Sequence, residues 1–236
     1  MSSTPACSNI IVEFIGLPGV GKSTLSRAVA AELTSRGTTV DEPIHKRDSY
    51  STPRRIASKA RFAGRNLRTA PKTAHTLTRN VLHTNQQSLT DLVRVLFNLH
   101  YVAGVTTAFR PQAGVTLLDQ GVFQARWSVG LRSTRPIAEA IESVDIPANL
   151  TPDLVVCVEA PNETIADRLT TRADGDTRFE PNSATFERGR NGYKTLTSLL
   201  ETAPDGPHTI TAKNETPESL TPTAAHVADV IQSLST

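Results

Sequence analysis

Ile10-Ile11-Val12-Glu13-Phe14-Ile15-Gly16-Leu17-Pro18-Gly19-Val20-Gly21-Lys22-Ser23-Thr24 is the stretch on which the fold turns. Its first six residues are apolar except for Glu13, and they read as a mostly buried strand. Residues 16–21 form a loop. Residues 23–36 follow with Leu25, Val29 and Leu33 at helical spacing, and Gly37 ends that helix. Residues 16–23 match G-x-x-x-x-G-K-[ST] at every position, with a strand before and a helix after. The residue types have a chemical reason. Glycines let successive backbone N–H groups turn inward around phosphate oxygens. The helix that follows points its positive end at the same anion. Lys22 reaches the outer phosphates and Ser23 offers a hydroxyl to Mg²⁺. The expected triphosphate-binding set is Gly16, Pro18, Gly19, Val20, Gly21, Lys22, Ser23 and Thr24, with ATP and Mg²⁺ as cofactors.

Outward from this loop the chain alternates strands and helices. Thr38-Thr39-Val40 is a short second strand closed by Pro43. From Ser51 the chain turns helical, with Ile56, Ala60, Ala63 and Leu67 as an apolar stripe, until Pro71 breaks the pattern. Residues 88–109 form a longer helix with Leu92, Val95, Leu96, Leu99 and Val102 inward. Residues 115–118 are a third strand and 154–158 a fourth, with helical pieces at 123–130 and 136–143 between them. Asn162 caps a helix to about Thr171, and 184–201 is another helix. Thr209-Ile210-Thr211 is a weak fifth strand, and Thr221-Pro222 opens a last helix. This alternation predicts βαβ units and a parallel sheet. The 236 residues fit one domain. Within it, 1–9 is a frayed terminus and 172–182 a charged, glycine-containing lid loop.

Three further groups carry chemistry. Asp119 follows the third strand directly, where an acid can hold Mg²⁺ together with Ser23. Glu42 ends the second strand, where a carboxylate can take a proton from an acceptor hydroxyl or bind a sugar hydroxyl. Arg168, Arg172 and Arg178 precede and enter the lid. Mobile arginines there would stabilise a phosphoryl group in transfer. The expected catalytic residues are Lys22, Glu42, Asp119, Arg172 and Arg178.

Composition sets the bounds. Cys7 and Cys157 are too few for a disulfide framework or a four-thiolate zinc site, so a reducing compartment is expected. His45, His75, His83 and His100 lack ligand spacing. The apolar run at 10–15 is too short to span a bilayer, and no positive region precedes it; a soluble, cytoplasmic protein is expected. The formal charge of +2 excludes a uniformly basic coat protein. It hides a strong asymmetry. Residues 44–118 hold twelve Lys/Arg against Asp48 and Asp91, a charge of +10, and the rest of the chain carries −8.

These residues support a comparison. The chain resembles the P-loop nucleoside and nucleotide kinases, most closely the thymidylate kinase-like group and its deoxynucleoside kinase relatives. Phe14-Ile15-Gly16 to Thr24 look like that family's opening, and Glu42-Pro43 like the pair after its second strand. Asp119 in Leu117-Leu118-Asp119-Gln120-Gly121 sits where the family has Asp-Arg. Arg168, Arg172, Thr177-Arg178-Phe179-Glu180, Phe186 and Tyr193 are similar to its lid and following helix. The resemblance implies a P-loop α/β three-layer sandwich with strand order 2-3-1-4-5. It implies an ATP- and Mg²⁺-dependent kinase, and it places the acceptor region at the basic helical residues 44–110. Pro18 stands where the family usually has Asp, Gln120 where it has Arg, and Asp41 where Arg is common. An acceptor without a phosphate, or one held by other arginines, is therefore expected: a nucleoside, a nucleoside monophosphate or another small anionic molecule, with a homodimer compatible. The basic segment has three readings: a solvated face, a region that folds over an anionic acceptor, and a nucleic-acid surface. Two rival functions stand beside the small-molecule kinase. One is a kinase for a nucleic-acid end or another phosphorylated metabolite; the other is a regulatory ATPase.

Overall fold

The structure is a computed structural model that describes residues 9–45, 51–171, 179–180 and 183–234. Strand β1 (Ile10–Ile15) is buried along its whole length, as a run of branched and aromatic residues in a central parallel strand must be. Glu13 is the one charged residue in it. Strands β2 (Val40–Asp41) and β3 (Val115–Leu118) lie on one side of β1, and β4 (Leu154–Glu159) and β5 (His208–Lys213) on the other. The order is β2-β3-β1-β4-β5, all parallel, as the resemblance implied. The register sets Glu13 beside Leu118, so the chain leaves β1 at Gly16 and β3 at Asp119 along one edge of the sheet. In open parallel sheets ligands bind at that carboxyl edge.

Helix α1 (Lys22–Ser35) starts directly from the loop and ends at Gly37, whose φ of +81° only glycine adopts easily. Helices α2 (Thr52–Thr69) and α3 (Pro71–Leu82) follow. Here the sequence reading needs two corrections. Pro71 does not only end a helix; it opens α3, where its missing N–H and preset φ fit the first turn. The apolar stripe of α2 packs only at Ala63. Ile56 and Leu67 are 58% and 53% exposed, and the buried residues are Ala63 and Asn66. The rotation is set by helix α4 (Leu89–Phe109). A Cβ on its Gly104 would stand 1.9 Å from the Phe62 carbonyl, so the two backbones meet there. His100 of α4 then bonds Asn66 of α2 at 3.0 Å and Thr78 of α3 at 2.9 Å. Burial depresses the His100 pKa, so a neutral imidazole pins three helices. Helix α4 is long and apolar enough to cross a membrane, but half of its apolar window is buried inside the fold.

Helices α5 (Val122–Arg132), α6 (Ile137–Glu142), α7 (Asn162–Thr170), α8 (Ala184–Thr202) and α9 (Leu220–Ser233) complete the layers. Asn162 is the first helical residue of α7 rather than its cap. Pro161 takes the cap position with an extended backbone (φ −56°, ψ 145°). Ser183 caps α8 by accepting from the Phe186 N–H at 3.1 Å. Strand β5 spans six residues, twice the three residues that the sequence suggested, because it is an edge strand with polar, exposed positions.

Candidate active site

The residues of the glycine loop are held from outside, which leaves its inner face open. Gly19 and Gly21 have φ of +87° and +93°, in the left-handed region. The Val20 carbonyl is turned outward, accepting from Asn214 Nδ2 at 2.9 Å and Arg168 Nη1 at 3.1 Å. Arg168 also donates to the Asn214 carbonyl at 3.4 Å, so it braces the loop against the end of β5. Helix α1 has no side-chain cap and no acid in its first turn, so its N-terminal N–H groups face the cleft without a side-chain competitor. Lys22 Nζ folds over the loop, donating to the carbonyls of Gly16 at 2.8 Å and Leu17 at 3.0 Å. The acceptors are neutral carbonyls, which charged phosphate oxygens outcompete for an ammonium.

Ser23 Oγ donates to Asp119 Oδ2 at 2.9 Å. Asp119 Oδ1 is buried and has no hydrogen-bond partner among the described residues. A hydroxyl and a carboxylate oxygen left over in this way form the hard oxygen set that suits Mg²⁺, so the residues fit the metal. No cluster of His, Cys, Asp and Glu offers another metal site among the described residues.

A cavity of about 290 Å³ opens from the loop. Pro18, Gly19, Gly21, Lys22, Ser23 and Thr24 form one wall. Asn98 of α4 and Gln120, Gln124, Trp127 and Ser128 from β3–α5 form the other. The Val20 side chain is buried beneath the loop instead, and Gly16 gives its N–H to Gln124 Oε1 at 3.0 Å. Glu42 does not line this cavity. It borders a narrow crevice behind it, with Ser23, Ser26, Arg27, His45 and Asp119. Arg172 and Arg178 lie outside the described residues. Sequence reasoning missed Asn98, Gln124 and Ser128, which come from distant segments and belong to no motif. Trp127 anchors the cavity wall to α8. Its Nε1 donates to the Gly189 carbonyl at 2.9 Å, and its ring meets Phe179, which in turn meets Phe186 edge-on.

Glu13 ties the two halves of the site together. Its carboxylate accepts from the Gln124 N–H at 2.7 Å and the Phe123 N–H at 3.2 Å, at the N-terminus of α5. Gln124 in turn holds Gly16. Burial pushes the Glu13 carboxyl up to about 7, and the N–H groups of 121–124 only partly offset this. A carboxyl with a raised folded pKa contributes stability that is full below its unfolded value of about 4.5 and is lost as pH rises through 7. The difference in unfolding free energy between wild type and Glu13→Gln is therefore expected to shift by about 3 kcal/mol between pH 4 and pH 8. Urea titrations across that range measure it, with wild type losing ground as pH rises.

A strand, glycine loop and helix on a five-stranded parallel sheet of this order, with a Ser–Asp oxygen pair beside the loop, define a P-loop nucleotide-binding protein of kinase-like fold. A family model described as an AAA domain matches residues 11–196, and the chain belongs to that family. Among solved structures, the thymidylate kinase of Ehrlichia chaffeensis is similar at 15% identity and a TM-score of 0.48, over 95% of this chain and 99% of that one. No curated protein has a similar sequence.

Proposed function

We propose that this protein is a phosphotransferase that moves the γ-phosphate of ATP to a hydroxyl of a small acceptor, a nucleoside or nucleoside monophosphate. The observation that carries this reading is the cavity that opens directly from the phosphate loop. A regulatory ATPase needs room for one nucleotide and a water. A transferase needs a second chamber in line with the outer phosphate, with groups able to orient an acceptor. The amides of Asn98, Gln120 and Gln124 and the Ser128 hydroxyl supply such groups.

In this reading the loop amides and Lys22 hold the triphosphate and neutralise the charge that gathers on the transferring group. Ser23 and Asp119 would hold Mg²⁺, which would offset the charge of the phosphates. Glu42 borders the crevice behind that pair and takes no role toward an acceptor in this cavity. Arg172 and Arg178 act as lid arginines. Asn98 and Gln124 orient the acceptor by hydrogen bonds.

The test is a γ-labelled ATP transfer screen over nucleosides, nucleoside monophosphates and short oligonucleotides. Mg²⁺-dependent label in a nucleoside or its monophosphate is expected. Label appearing only as inorganic phosphate would contradict the reading and favour the regulatory ATPase.

A further inference from the structure

Helices α2 and α3 carry eight Lys and Arg and no Asp or Glu. On α2, Arg54, Arg61, Arg65 and Arg68 recur at intervals of seven, four and three residues. At about 100° per residue these positions fall within roughly 60° of one another around the helix, on one line. All four are exposed. The line faces away from α4, since Ala63 and Asn66 are the buried positions of α2. The guanidinium groups of Arg61, Arg65 and Arg68 form no hydrogen bond or ion pair among the described residues.

That arrangement is unlike the rest of the surface. Elsewhere several arginines sit beside an acid: Arg36 with Glu32 and Asp229, Arg110 with Asp153, Arg132 with Asp91, Arg135 with Glu139. Like charges at i,i+4 and i,i+3, such as Arg61–Arg65 and Arg65–Arg68, destabilise a helix. A merely solvated face would intersperse acids, as those pairs do. A bound polyanion removes the repulsion.

We infer that the arginine line on α2 is a docking face for the phosphodiester backbone of a nucleic acid. The line extends about 21 Å, with steps of about 10.5, 6 and 4.5 Å along the axis, long enough to meet several successive backbone phosphates. Guanidinium groups bind phosphate in a forked geometry that lysines lack. The alternative anionic partner, a lipid surface, fits less well. The exposed apolar residues of α2, Ile56 and Leu67, lie about 130–150° around the helix from the arginine line. They cannot enter a bilayer while the arginines meet its headgroups. The assignment goes beyond the proposed transfer reaction and is independent of what fills the cavity.

The test is fluorescence anisotropy of a labelled 20-nucleotide single strand, from 50 to 200 mM salt, with wild type and Arg61→Gln/Arg65→Gln/Arg68→Gln. Wild-type binding should weaken steeply with salt. The triple variant should bind at least tenfold more weakly, with a log–log salt slope shallower by about 2. Its affinity for an ATP analogue should be unchanged, which shows that it is folded. Arg65→Glu alone provides a second variant, expected to bind the strand more weakly by several-fold. Three results would overturn the inference: no strand binding by wild type, equal affinity and slope in the variants, or tighter binding to phosphatidylserine vesicles than to the strand.

Discussion

Replacing Lys22 by alanine is expected to lower the rate of phosphoryl transfer by about 10³-fold while the chain stays folded. The ammonium is the one positive charge in the cavity wall formed by the glycine loop, and preorganised charge aimed at a developing anion is worth two to three powers of ten. Structurally the side chain donates to the Gly16 and Leu17 carbonyls. Both hydrogen bonds are partly buried, so their loss costs about 1–2 kcal/mol of stability. Steady-state rates with circular dichroism as a control separate the two effects. A variant that keeps more than a tenth of the wild-type rate would contradict the role given to Lys22.

Gly121→Ala is expected to lower stability strongly. A Cβ there would stand 2.4 Å from Glu13 Cδ. Glu13 is fully buried and held by the N-terminal amides of α5, so it has nowhere to move. Overpacking a rigid, buried contact of this kind costs about 3 kcal/mol, which in a domain of this size lowers the midpoint of thermal unfolding by roughly 10 °C. The same change pushes α5 away from β1, and with it Gln124 from the Gly16 N–H. Nucleotide affinity should fall along with stability. Scanning calorimetry with and without an ATP analogue measures both; an unchanged midpoint would show that Glu13 does not fix α5 in place.

The glycine loop was legible because all its parts are local: one strand, one turn and one helix start within 15 residues, each with its own chemical signature. The Ser23–Asp119 pair was legible for a related reason. An acid at the end of a buried strand has few other uses, and the parallel register brings it to the same sheet edge as Gly16. Glu13 stood out as a charge inside an apolar strand, but nothing in the sequence named its partners, the amides of 123 and 124. The rotation of α2 was not legible. Ile56 and Leu67 predict the apolar face, yet the close approach at Gly104 and the Asn66–His100 bond turn a different face inward. The far wall of the cavity was hidden because Asn98, Gln124 and Ser128 are ordinary polar residues until two helices bring them together. What the rotation leaves on the outside is the arginine line of α2.

The central claim is that residues 16–24 and Asp119 form one Mg²⁺–triphosphate site, and equilibrium binding of a non-hydrolysable ATP analogue tests it most directly. Calorimetric titration with and without Mg²⁺ should show the metal tightening binding to wild type by about tenfold, and Asp119→Asn should remove most of that gain. Wild-type affinity that is the same with and without Mg²⁺, or a gain that survives intact in Asp119→Asn, would contradict it.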